Sequence, residues 1–165
     1  MIFGTVGTQL AFDRLVEALD AEAAERDEPF LVQSGPSAYE PKYVEMVATL
    51  SPAAFAQHFS QSRLIIAHAG IGTVLSAIRY RKPLIIVPRR HVLGEHRNDH
   101  QIATARRLEN LPGLYVAWEV DALGGFLQRC DLLPLSNDDD YPPRRKLVRY
   151  LSDWISADKE KRSAP

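Results

Sequence analysis

Leu84-Ile85-Ile86-Val87 is the stretch that most narrows the folds open to this chain: four apolar residues run without a break between Lys82-Pro83 and Pro88. A strand with one wet face alternates apolar and polar residues. An unbroken apolar run marks a strand covered on both faces, as in a parallel sheet flanked by helices. Residues 63–67, 1–6 and Phe30-Leu31-Val32-Gln33 also read as strands, and Tyr43 to Ala48 and Leu114 to Trp118 predict two more short ones. Between them the apolar period changes to that of a helix. Phe12, Leu15, Val16 and Leu19 predict an amphipathic helix over about 11–25. Ser51-Pro52, a cap residue followed by proline at the first helical position, opens another that carries Phe55 and Phe59 inward.

Further helices are expected from the glycine turn at 70–72 to about Arg81, from Asn98 or Asp99 through Ile102, Ala105 and Leu108, and over 120–129. Pro142-Pro143 opens a last one, striped by Leu147, Tyr150, Leu151, Trp154 and Ile155. Strands alternating with helices give an α/β fold: a Rossmann-like, mostly parallel sheet with helices on both faces and right-handed crossovers. The length, 165 residues, suits one domain over 1–156, followed by a flexible charged tail at 157–165.

Composition removes several function classes. The net charge of −1 gives no global field for nucleic acid, and Arg79, Arg81, Lys82, Arg89 and Arg90 read as solvated surface or a local anion patch. Cys130 is the only cysteine, so no disulfide framework exists; a reducing compartment and a small buried side chain are expected. No apolar run reaches the roughly 20 residues needed to span a bilayer, and Met1-Ile2-Phe3 enters a strand directly, without the pattern of a signal peptide. A membrane role is therefore expected to come through a partner.

Ligands of open parallel sheets bind outside the carboxyl ends of the strands. Three polar segments should meet there: Gly7-Thr8-Gln9, His68-Ala69-Gly70-Ile71-Gly72-Thr73 and Arg89–Gln101. The second is the most telling. Its glycines admit a close backbone approach, and the helix that follows opens with unsatisfied N–H groups of positive partial charge, which suits a phosphate or diphosphate. The bland alternative is a tight βα turn. A side chain added at Gly70 is expected to fill the phosphate's place. Thr8 and Gln9 can hydrogen-bond phosphate or sugar oxygens, or Thr8 can cap a helix. Glu95 and Gln101 suit sugar hydroxyls, and Asn98 or Asp99 alone would read as a cap.

His96 and His100 share a helix face at four-residue spacing, which raises a metal site, but no further ligand pair accompanies them; no metal and no cofactor is expected. Leu75 stands where a third fingerprint glycine would fall, no phosphate-loop lysine follows either glycine turn, and no nucleophile elbow is present.

Taken together, Phe3-Gly4-Thr5-Val6-Gly7-Thr8-Gln9, Phe12-Asp13-Arg14-Leu15, His68–Thr73, Lys82–Arg89 and Gly94-Glu95-His96-Arg97-Asn98-Asp99-His100-Gln101 resemble the Alg13/PssE group over about residues 1–110. That group is similar to the C-terminal, donor-binding half of MurG-like glycosyltransferases of family 28 and the GT-B fold. Gly4 departs from the group, which usually has an apolar β-branched residue there, and is expected to soften the first strand.

The resemblance implies a single GT-B half domain that binds a UDP-sugar. A membrane-anchored subunit similar to Alg14 or PssD would supply the acceptor half, for transfer to a lipid-linked acceptor in exopolysaccharide or glycolipid biosynthesis. The chain would be cytoplasmic, peripheral to the membrane through that partner, and inactive without it. Carried over by position, His68 to Thr73 would hold the diphosphate, with Gly7, Thr8 and Gln9 lining the same site. Leu50 and Ser51 would meet the uracil edge, and His100 and Gln101, with Glu95 nearby, the donor sugar. His68 would stabilise the transition state, and the catalytic base would belong to the partner. Two other readings stay open: a non-catalytic, partner-binding enhancer subunit, and a stand-alone sugar-nucleotide hydrolase.

Overall fold

The computed structural model describes residues 1–135. The expected last helix after Pro142-Pro143, the tail at 157–165 and the domain limit at 156 lie outside them. Among the described residues six strands form one sheet: β1 (Ile2–Thr5), β2 (Phe30–Gln33), β3 (Glu45–Val47), β4 (Leu64–His68), β5 (Leu84–Val87) and β6 (Leu114–Val116). Their order is β3-β2-β1-β4-β5-β6 and every pairing is parallel. This is the Rossmann order. The chain builds outward to one side from β1 and then returns to start the other side at β4, which leaves a crevice between the carboxyl ends of β1 and β4.

The helices among the described residues are α1 (Asp13–Ala24), α2 (Pro52–Gln61), α3 (Ile71–Tyr80), α4 (His100–Leu108) and α5 (Leu123–Leu127). The unbroken apolar strands are explained by where their side chains go. Ile2, Val32, Leu64, Ile66, Ile85 and Val87 pack with Leu15, Val16 and Leu19 of α1 and Leu123 and Leu127 of α5. Phe3, Leu31, Ile65, Ala67, Leu84 and Ile86 point the other way, onto Phe59 of α2, Val74 and Ala77 of α3, and Ala105 and Leu108 of α4. The sheet is thus covered on both faces.

Local chemistry sets the ends. Ser51 Oγ accepts the Ala54 N–H at 3.2 Å and Pro52 opens α2, as the sequence predicts. Thr8 does not cap α1: Phe12 holds that position without a side-chain cap. At α4, Asn98 Oδ1 accepts the His100 N–H at 3.2 Å, while the Asp99 carboxylate turns back to take the His91 N–H at 2.9 Å.

Gly4 makes room on β1 for its neighbours. A Cβ there would stand 2.8 Å from Leu19 Cδ1 and 3.2 Å from Val32 Cγ2, so the missing side chain is what lets α1 settle on the strand. Asp20, also buried, ties α1 to the segment leading into β3: its carboxylate accepts N–H bonds from Lys42, Tyr43 and Val44 and the Tyr39 hydroxyl at 3.0 Å. Cys130 is exposed rather than buried, because it follows the short α5 instead of lying within it.

Candidate functional site

β1 and β4 end side by side, with Thr5 opposite Ala67. The next residue on β4 is His68, and its ring leans across the divergence point. His68 Nδ1 lies 3.4 Å from the Thr5 carbonyl oxygen. Gly7 (φ +84°) turns the chain just beyond β1, and a Cβ there would come within 3.1 Å of His68 Cε1. On the other side, a Cβ on Gly70 would stand 3.0 Å from both His68 Cδ2 and Cε1, and closer still to Nε2. The imidazole therefore fills the slot between two glycines. Gly70 is glycine for the sake of His68; the expectation that its missing side chain leaves a phosphate's place is corrected. Gly35 (φ +59°) closes the floor from β2, since a Cβ on it would lie 2.6 Å from the Gly7 carbonyl oxygen.

Enclosure sets the charge of His68. Burial, with Arg89 and His96 nearby, pushes its pKa down to about 4 against the pull of the Thr5 carbonyl. The ring is neutral at neutral pH. With Nδ1–H donating to Thr5, it presents Nε2 as an acceptor and brings no positive charge to an anion.

The amides of the glycine turn are partly spent. The Ala69 N–H is accepted by Gln101 Oε1 at 3.2 Å, the Gly70 N–H by the His68 carbonyl at 2.8 Å, and the Thr73 N–H by the Gly70 carbonyl at 3.1 Å. The N–H groups of Ile71 and Gly72 have no acceptor among the described residues. They stand in the first turn of α3, where the helix carries partial positive charge. A Cβ on Gly72 would meet nothing within 4 Å, so the space beside this amide is open. The anion-ready part of the turn is therefore two amides wide.

The third segment is built inward. Gln101, 4% exposed, also accepts the Arg89 N–H at 3.2 Å, so one carbonyl oxygen ties the β4–α3 turn to the end of β5. Glu95 accepts from Arg14 at 2.7 and 3.0 Å and from the Arg90 N–H at 2.8 Å. Its carboxylate is held by the Arg14 guanidinium and one backbone amide, although it was expected to face sugar hydroxyls. His100 is exposed at the start of α4, its ring edge-on to His96 with centroids 4.4 Å apart. Among the described residues no group of three or more His, Cys, Asp or Glu is arranged to hold a metal. Thr8 and Gln9 are exposed in the β1–α1 loop. Leu50 and Ser51 sit beyond the carboxyl end of β3, where Leu50 packs on the second core and Ser51 caps α2.

Arg89 departs furthest from the sequence reading. Expected as surface or an anion patch, it is 2% exposed. Its guanidinium donates to the carbonyls of Val6 and Leu10 (both 2.7 Å), Ala11, and Glu95 (3.1 Å), and lies 4.6 Å from the Phe12 ring centroid. A signal for it existed. Arg89 follows directly on the apolar β5 and its proline, and the argument that turns His68 toward the crevice applies to it equally.

Comparison with known proteins adds an independent finding. The family model of the glycosyltransferase family 28 C-terminal domain matches residues 1–119. The UDP-N-acetylglucosamine transferase subunit ALG13 of Eremothecium gossypii is 38% identical over 71 residues, covering 42% of this chain and 33% of that protein. Among solved structures, the MurG of Acinetobacter baumannii superposes with a TM-score of 0.58 at 21% identity, over 79% of this chain and 42% of that one. The calicheamicin glycosyltransferase CalG4 gives 0.59 at 19% identity, over 99% of this chain and 44% of its own. The likeness to the solved structures is one of fold. The chain spans less than half the length of each of these relatives.

Proposed function

Because this chain belongs to the glycosyltransferase family 28 C-terminal domain family, we propose that it is the donor-binding half of a two-component glycosyltransferase. Its ligand is a UDP-sugar. The observation that carries this reading is the pair of unaccepted amides, Ile71 and Gly72, in the first turn of α3 just beyond the carboxyl end of β4, with open space beside Gly72. A helix N-terminus with two free N–H groups is matched to the charge of a diphosphate. Transfer leaves UDP behind, and negative charge grows on the diphosphate as the glycosidic bond breaks. Fixed amides aimed at that group gain more from the transition state than from the ground state.

The remaining residues take narrower roles. His68 and Ala69 shape the turn, Thr73 continues it as the helix starts, and Gly7 and Gly70 admit the His68 ring. Thr8 and Gln9 face the ligand from the exposed β1–α1 loop. Leu50 and Ser51 meet the uracil at the far side of the sheet. His100 and the amide nitrogen of Gln101 reach the sugar, and Glu95 acts by fixing its own loop. No helix among the described residues is long and apolar enough to cross a membrane. We assign the acceptor site and the catalytic base to a membrane-anchored subunit similar to Alg14 or PssD. The acceptor is lipid-linked, the setting is exopolysaccharide or glycolipid biosynthesis, and the chain works on the cytoplasmic side.

Reconstitution tests this directly. Radiolabelled sugar should pass from UDP to a lipid fraction only when this chain and its membrane-anchored partner are both present. UDP-sugar hydrolysis by this chain alone supports the hydrolase reading instead. Transfer by the partner alone, merely accelerated by this chain, supports the enhancer reading.

A further inference from the structure

Arg89 is an unusual arginine. It is sealed from solvent, yet among the described residues its guanidinium forms no ion pair. Its four side-chain bonds all go to backbone carbonyls, and those carbonyls belong to two loops. Val6, Leu10 and Ala11 lie in the β1–α1 loop; Glu95 lies in the β5–α4 loop. The residue's own N–H goes to Gln101 Oε1, which also holds the Ala69 N–H of the glycine turn. Arg89 thus bonds directly to two of the loops at the mouth of the crevice between β1 and β4, and shares the acceptor Gln101 Oε1 with a third segment, the glycine turn.

We propose that Arg89 is the positioning residue of the donor site, fixing the β1–α1 and β5–α4 loops as its walls through their main chains, without touching the donor. The proposal rests on the donor-binding reading above. Two physical points support it. First, an arginine with 2% exposure has no face left for a ligand anion, so a direct binding role is closed to it. Second, loops lack the ladder bonds that hold strands and helices, so their geometry must come from elsewhere. The planar fork of a guanidinium can serve four carbonyls in different directions. A lysine ammonium, with three donors on one atom, cannot reproduce that pattern. Phe12, buried, lies against the guanidinium with its ring centroid 4.6 Å from Cζ.

The test is Arg89→Lys, which keeps the charge and removes the fork, compared with wild type and with Asp20→Asn as a control. Asp20 supports the approach to β3 and touches no crevice residue, so its variant reports plain loss of stability. Amide hydrogen exchange and titration with UDP are measured on all three. Arg89→Lys is expected to lose exchange protection at 6–7 and 89–95, whose amides have acceptors in the structure, while the central strands keep theirs. It should bind UDP about tenfold or more weakly, while Asp20→Asn binds like wild type. Arg89→Lys with wild-type UDP affinity overturns the proposal, as does an equal loss in Asp20→Asn, since either shows that the fork is not what shapes the site. Wild-type protein that fails to bind UDP is a different outcome: it overturns the donor reading itself, and this proposal falls with it.

Discussion

His68 and Gly70 fit together as ring and gap: the imidazole lies where a side chain on Gly70 would have to stand. The residues are two apart on a turn closed by the Gly70 N–H to the His68 carbonyl at 2.8 Å. Gly70→Ala should therefore act on the protein before any ligand arrives. Displacing a packed ring costs roughly 1–3 kcal/mol, which a chemical-denaturation midpoint will detect. Gly72→Val differs in kind. The open space beside it predicts a fold of near wild-type stability and a lost anion site. Equal stability effects at the two glycines would contradict this assignment.

The neutral state of His68 predicts an acid-sensitive fold. The unfolded ring takes its proton near 6.5, but the folded one only near 4. Between those values the unfolded chain binds more protons, so stability falls as pH is lowered through that window and is fully present above it. The ring proton resonances of His68 should stay at their neutral positions down to about pH 5. Titration with a midpoint near 6.5 would show the ring to be solvated.

Much of the architecture could be read from the chain because it rests on local patterns. Short apolar stretches mark the strands, the unbroken run at Leu84–Val87 most plainly, apolar spacing marks the helices, and Ser51-Pro52 marks a helix start to the residue. The turn at 68–73 was visible for the same reason. What was hidden depends on partners far apart in sequence. Glu95 looks like a free carboxylate until Arg14, on a different element, takes both its oxygens. Arg89 looks like surface until the β1–α1 loop folds over it. Gly4 looks like a weak point until Leu19 comes to rest against it. Composition and periodicity carry no information about such pairings.

Asp20 should be a strong stability determinant. Burial pushes its carboxyl up, but the N–H groups of Lys42, Tyr43 and Val44 and the Tyr39 hydroxyl outweigh that and hold it below the usual carboxylate range. Its contribution is present above the ordinary carboxylate pKa and is lost as pH falls through the depressed folded value. Asp20→Ala should cost on the order of 2–4 kcal/mol in urea denaturation. A loss within experimental error would mean that the 39–44 segment is held by other contacts.

Gly4→Val reverses what strand propensity suggests. Valine favours strands, but its branches would press on Leu19 and Val32 in a core with no exposed surface. A destabilisation of about 1–3 kcal/mol is expected. A more stable Gly4→Val protein would show that α1 can shift without penalty.

The central claim is that the opening of α3 holds a diphosphate, and calorimetric titration of this chain with UDP and with uridine tests it most directly. UDP should bind at least about tenfold more tightly than uridine, and Gly72→Val should remove that advantage while leaving the thermal transition in place. UDP binding no tighter than uridine, or an advantage that survives Gly72→Val, would contradict it.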